Sequence, residues 1–138
     1  MRNRDNAKRI FLAGVRSVLP EKLITDILSL RGQVLVAGSH EVSLGGIEKI
    51  MVIGAGKASS AMGHYVECIL GERISDGHIV VKYGHSCLLK KIKVTEAGHP
   101  LPDENGFRAT REIIEMANRA AGNDLVICLI SGGASALL

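Results

Sequence analysis

Two stretches of this chain, "IEKIMVIGAGKAS" at 47–59 and "DLVICLISGGAS" at 124–135, share one pattern: an apolar run that collides with glycines and then serines. A run of this length without polar alternation reads as a strand buried on both faces, and such strands belong to parallel sheets covered by helices on each side. "GHIVVK" at 77–82 and "KIKVTEA" at 91–97 supply two more strands, with "YGHSCLLK" as the loop between them. The helical segments "KASSAMGHYVECIL" and "PDENGFRATREIIEMANRA" alternate with these strands. Strands and helices in this order imply βαβ crossovers, so the expected fold class is α/β, a Rossmann-like, mostly parallel sheet with helices on both faces.

The helices carry their own signals. Ala58, Met62, Tyr65 and Ile69 recur at helical spacing after the first glycine turn, and Phe107, Thr110, Ile114, Ala117 and Ala121 do so after Asp103, a natural N-cap. Upstream, residues 6–18 read as an amphipathic surface helix with Ile10, Val15, Val18 and Leu19 on one side; a mitochondrial presequence is the alternative. Pro20 opens a second helix, "PEKLITDILSL", which Gly32 is expected to close. A short "VLVAG" and a glycine-rich connector follow. Leu138 falls about one turn into the helix expected after the last strand. A parallel sheet bare on that side exposes a large apolar face, so the expectation is a chain that continues, or a second copy, as in a homodimer, covering it.

Charge and cysteine usage narrow the function. The 17 basic and 14 acidic residues give a net charge of +3 with no run of five like charges, and only two Phe, two Tyr and no Trp are present to stack on bases. A nucleic-acid partner is not indicated, and small anions suit the balance better. No apolar stretch is long enough to cross a bilayer. Cys68, Cys87 and Cys128 are odd in number and widely spaced, which forms neither a disulfide framework nor a zinc site and points to a reducing cytoplasm.

Three segments carry chemistry. "GAGKAS" is not a Walker A loop, because Met51 stands where the first glycine belongs and Ala58 replaces the metal-binding hydroxyl. It is also a poor dinucleotide fingerprint, with Ser59 at the third glycine position and Lys82, not an acid, ending the following strand. What remains is a turn in which Gly54 and Gly56 permit close backbone approach, helix N–H groups face an anion and Lys57 adds a full charge; the alternative is a tight turn with Lys57 in solvent. The second segment, Ser131, Gly132, Gly133 and Ser135, repeats that geometry and suits a phosphate or carboxylate, although Ser135 could simply cap a helix. The third is "EAGHPLPDENG" at 96–106, where Glu96, His99, Asp103 and Glu104 offer acid, base or ligand chemistry. Against that stands Asp103 as a plain cap. His64 with Cys68, and His85 with Cys87, make no metal set without further partners.

Taken in order, "MVIGAGKAS", "GHIVVKYGH", "TEAGHPLPDENG" and "LVICLISGGASALL" resemble the N-terminal part of the glycerate 2-kinase family, whose members have also carried a hydroxypyruvate reductase label. The similarity spans residues 7–138. It implies an incomplete N-terminal portion of a larger two-domain protein that uses ATP and a divalent cation, Mg2+, to phosphorylate D-glycerate at its 2-hydroxyl. It further implies Lys57 as the catalytic lysine, the Ser131–Ser135 loop as the anion-binding loop, and His99 to Asp103 as cleft lining. No metal ligand is assigned. An NAD(P)-dependent hydroxypyruvate reductase is the alternative enzyme, and an inactive truncated module the non-enzymatic one.

Overall fold

The computed structural model describes residues 2–138. Helix α1 (Arg2–Ser17) and α2 (Pro20–Ile27) lead into three short strands, β1 (Leu28–Arg31), β2 (Val34–Ala37) and β3 (His40–Ser43). Then come β4 (Ile50–Ala55), α3 (Ser59–Leu70), β5 (Ile74–Lys82), β6 (Lys93–Ala97), α4 (Glu104–Asn118) and β7 (Leu125–Ile130), followed by a 3-10 turn at Ala134–Ala136; two further 3-10 turns lie at Leu44–Gly46 and Gly71–Arg73. Strands β4 to β7 pair in parallel in the order β6-β5-β4-β7. In sequence order of those four strands this is 3-2-1-4, the order of a doubly wound sheet, and it reverses direction between β4 and β7.

One helix covers each face. Val52, Ile79, Val81 and Leu129 pack with Val66 and Leu70 of α3, whereas Ala55, Val80 and Ala97 pack with Ala109 and Ile113 of α4 and with Leu137. Each fully buried Val or Ile here contributes about 2 kcal/mol of transfer free energy, which makes β4 and β5 the thermodynamic centre of the sheet. Strand β7 is the exception among the apolar strands. Its Val126, Cys128 and Ile130 are exposed on one side, as expected for a sheet that lacks a cover there.

Three local expectations are corrected. Gly32 does not close α2, which ends at Ile27; "LSLR" instead forms β1, and Gly32 with Gln33 makes a two-residue turn into β2. The stripe Ile24, Ile27, Leu28 continues into Leu30, a spacing that fits both a helix and a strand. Antiparallel pairing of β1, β2 and β3 decides for the strand, because it lets Leu28, Leu30, Leu35 and Val42 reach the α3-side core.

The other two corrections concern helix rotation. On α4 the buried residues are Gly106, Ala109, Ile113 and Met116, one position before the expected stripe, and Phe107 and Ile114 are 54% and 52% exposed. Small residues win because they bring α4 close to the sheet: a Cβ on Gly106 would lie 3.6 Å from the Ala97 Cβ. On α3 the buried face is Ser59, Ser60, Gly63, Val66 and Leu70, with Met62 and Ile69 only at its rim. Serines tolerate that burial because they are hydrogen-bonded. Ser60 Oγ donates to the His85 carbonyl and accepts from the Cys87 amide, pinning the 83–92 loop.

His78 on β5 is 1% exposed, and nothing in its local sequence marks it as buried. Its Nε2 meets the Thr95 hydroxyl at 2.8 Å and its Nδ1 lies 3.2 Å from Glu112 Oε2, which Lys93 also pairs. Burial, followed by the Lys93 charge, holds its pKa below the ordinary histidine value, outweighing the pull of Glu112 and Asp76. A base with a depressed folded pKa leaves stability untouched above the unfolded value, about 6.5, and weakens the fold as pH falls below it. The thermal midpoint should therefore decline as pH is lowered from about 7 through 6. His78→Gln, which does not titrate, should flatten that part of the profile; an unchanged slope in the variant would assign the pH dependence elsewhere.

Candidate functional site

The carboxyl ends of β4, β5, β6 and β7 each release a loop on the same edge of the sheet, and the reversal of strand order between β4 and β7 opens a crevice there. From β4 comes Gly56-Lys57-Ala58, and from β7 comes Ser131-Gly132-Gly133. The two turns are bonded to each other at several points. Ser131 N donates to the Ala55 carbonyl (3.0 Å), Lys57 N to the Gly132 carbonyl (3.0 Å), and Ala58 N to Ser131 Oγ (2.9 Å). The buried Ser59 hydroxyl lies 3.2 Å from the same Ser131 oxygen.

These bonds redirect the reading of the first turn. The amides of Gly56, Lys57, Ala58 and Ser59 donate to Val80 O, Gly132 O, Ser131 Oγ and Gly56 O respectively. The turn that leads into α3 thus uses these donors inside the protein. The close approaches of Gly54 and Gly56 are internal too. A Cβ on Gly54 would stand 2.5 Å from the Leu129 carbonyl oxygen, and one on Gly56, whose φ is +126°, would stand 2.3 Å from Ser131 Oγ.

On the outer side of the second turn, Gly133 adopts φ +92°, and the amides of Gly132 and Gly133 donate to no atom among the described residues. Successive N–H groups of such a turn form a concavity for an anion. A Cβ on Gly133 would lie 2.8 Å from His99 Nε2 and 3.4 Å from Lys57 Cε. Three segments far apart in sequence therefore meet at one glycine: the lysine turn after β4, the His99 loop after β6 and the glycine turn after β7. The Lys57 side chain is exposed and has no ion-pair partner among the described residues. Ser135 is exposed in the middle of the 3-10 turn, whose N-cap is Gly133, so it does not cap it.

The loop that carries His99 is held from beneath. Asp103 caps α4, accepting from the Gly106 amide at 3.0 Å, and its other oxygen accepts from Tyr83 Oη at 2.8 Å; Asn105 in turn donates to that tyrosine oxygen. The Gly106 amide, then the Tyr83 hydroxyl and the Gly98 amide, lower the Asp103 pKa, so its charge is fixed in the fold. Donating to the Asp103 carboxylate is also the main cause that raises the Tyr83 pKa. Glu96 accepts from the Ser86 hydroxyl and the Gly84 amide, and those two bonds lower its pKa. Both carboxylates shape loops around His99, and the His99–Pro100 peptide is cis. Glu104 begins α4 and is exposed. Tyr83 is the participant that sequence reasoning missed; its position directly after a strand, at the ligand edge, was the available signal.

Among the described residues no three His, Cys, Asp or Glu side chains stand together so as to hold a metal ion. His64 and Cys68 meet at 3.9 Å on the exposed side of α3, away from this crevice. Among the described residues no helix is long and apolar enough to cross a membrane.

Comparison with known proteins agrees with this architecture. The profile of the family described as "Domain of unknown function (DUF4147)" matches residues 6–138. A glycerate 2-kinase of Pyrococcus horikoshii is 37% identical over 134 residues, 97% of this chain and 30% of the relative. A crystal structure of a Pyrococcus horikoshii OT3 protein superposes with a TM-score of 0.88 at 36% identity, over 98% of this chain and 30% of that one. The crystal structure of glycerate kinase from Thermotoga maritima gives 0.76 at 30% identity, over 96% and 29%. Proteins of Agrobacterium vitis that bear a hydroxypyruvate reductase name match as well. The chain spans about 30% of the length of the Pyrococcus relative. With the family profile covering nearly its whole length and the structural match extending through the crevice, the chain belongs to the DUF4147 family, the glycerate 2-kinase family.

Proposed function

We propose that this chain carries part of the active site of an ATP-dependent kinase that phosphorylates D-glycerate at its 2-hydroxyl, giving 2-phosphoglycerate. The observation that supports this most is the meeting of Lys57, Gly133 and His99 at the switch point of the sheet. Phosphoryl transfer asks a protein mainly for positioning and for neutralisation of charge spread over oxygens. Lys57 supplies an exposed cation. The Gly132 and Gly133 amides and the Ser135 hydroxyl supply donors to an anionic oxygen, of a carboxylate or a phosphate alike. His99 lines the opposite wall, and Asp103 sets its loop; Gly54 and Gly56 let the two turns close on each other.

ATP supplies the transferred group, and the cationic and amide-lined crevice suits its charge. The described residues present no cluster of His, Cys, Asp or Glu that would hold Mg2+. On this reading the segment is the N-terminal part of a larger domain in a two-domain protein, and the exposed side of β7 is covered by the remaining protein or by a second copy. Three free, exposed cysteines fit a cytoplasmic setting.

A nicotinamide-dependent reductase is disfavoured by Lys82, which ends β5 where a ribose-binding acid would stand. Two assays on the intact natural protein separate the readings. ADP release dependent on D-glycerate is the expected result; oxidation of NADH or NADPH by hydroxypyruvate, without ADP release, would overturn it.

A further inference from the structure

Resting on the kinase reading of Lys57, we infer that Ser131 is a positioning residue that holds Lys57 in place, and that its hydroxyl is not a ligand to the substrate anion. The sequence offers Ser131 as one more anion-binding hydroxyl. Its geometry assigns it elsewhere. Ser131 Oγ accepts the Ala58 amide at 2.9 Å and meets the Ser59 hydroxyl at 3.2 Å, on a serine that is fully buried. The Lys57 amide is bonded to the next residue of the same turn, the Gly132 carbonyl. Lys57 therefore sits between two hydrogen bonds, one from its own N–H and one from the N–H after it, both ending on the β7 turn.

A lysine stem has four rotatable carbons, so the ammonium can be aimed only if the backbone beneath it is fixed. The first turn of α3 cannot do this alone, because a helix start has unpaired amides that otherwise seek water or ligand. Ser131 fills that role at Ala58. A hydroxyl has one proton and two lone pairs, and two of these three are already engaged with α3. Gly56 leaves the room: a Cβ there would overlap Ser131 Oγ at 2.3 Å.

The test is a double-mutant cycle in the intact natural protein, reading kcat for glycerate-dependent ADP release alongside thermal midpoints. Ser131→Ala should lower kcat about tenfold, the consequence of leaving one amide unpaired and the lysine loosely held. In a Lys57→Ala background the same change should cost no more than about twofold, because there is no ammonium left to position. Ser59→Ala, which removes one partner of Ser131 and fills no new space, should show a smaller loss with the same dependence on Lys57, and it decides the matter if Ser131→Ala folds poorly. Undiminished losses in the Lys57→Ala background would overturn the proposal, by showing direct ligand contact or general structural damage. If Lys57→Ala itself leaves turnover intact, it is the kinase reading of Lys57 that fails.

Discussion

Replacing Lys57 by Ala is expected to lower kcat for D-glycerate phosphorylation by about 10²–10³-fold in the intact natural protein while leaving the fold unchanged. The fold should survive because the side chain is exposed and has no ion-pair partner among the described residues. What Lys57 gives the architecture is its amide, which donates to Gly132 O, and alanine keeps that bond. The activity should not survive, because a cation facing developing charge in a crevice is worth far more than one in bulk water. Lys57→Arg keeps the charge but spreads it over a planar fork, and should recover only part of the loss. The measurement is steady-state ADP release with circular dichroism as the folding control. Turnover within a few-fold of the natural protein would remove Lys57 from the chemistry.

Gly56→Ala should be the more damaging change to the fold, destabilising it by about 3 kcal/mol or more and lowering the thermal midpoint by about 10 °C. Two costs combine. The residue sits at φ +126°, a region that L side chains rarely adopt, and its Cβ would stand 2.5 Å from the Ser131 carbonyl oxygen and 2.8 Å from its carbon. Those are backbone atoms of a turn tied to β4, so they cannot step aside without breaking the bonds that join the two loops. Gly133→Ala makes an instructive contrast. There the new methyl meets the movable His99 ring and the Lys57 stem, so the fold should yield more easily and the site should lose its shape. Equal thermal midpoints for the two variants would contradict this difference between backbone and side-chain crowding.

The sheet was largely legible from local patterns. Apolar runs too dense to alternate mark β4 and β7, Asp103 marks the start of α4, and Gly71 marks the end of α3. The misreadings have a common cause. Helix stripes at 106/109/113/116 and 107/110/114/117 are equally periodic, and only the distance to the sheet, set by Gly106 and Ala109, selects the first. "LSLR" likewise satisfies two periods until β2 offers it a partner. His78 reads as an ordinary polar position until Thr95 and Glu112 arrive from other elements.

The candidate site divides along the same line. Its residue types, Lys57, His99, the Gly132-Gly133 pair and Ser131, could be named from the sequence because cations, imidazoles and flexible turns are local chemical properties. By itself the sequence also determined the α/β class, since burial on two faces is written into composition. Tertiary structure alone decided which donors face outward. The amides of Lys57 and Ala58, just ahead of α3, are bonded to the β7 turn, Ser131 is turned inward as a brace, and the amides of Gly132 and Gly133 are left without a partner among the described residues. The physical reason is that hydrogen bonds between loops join residues more than 70 positions apart, and which donor finds a partner depends on strand order, which no local pattern encodes.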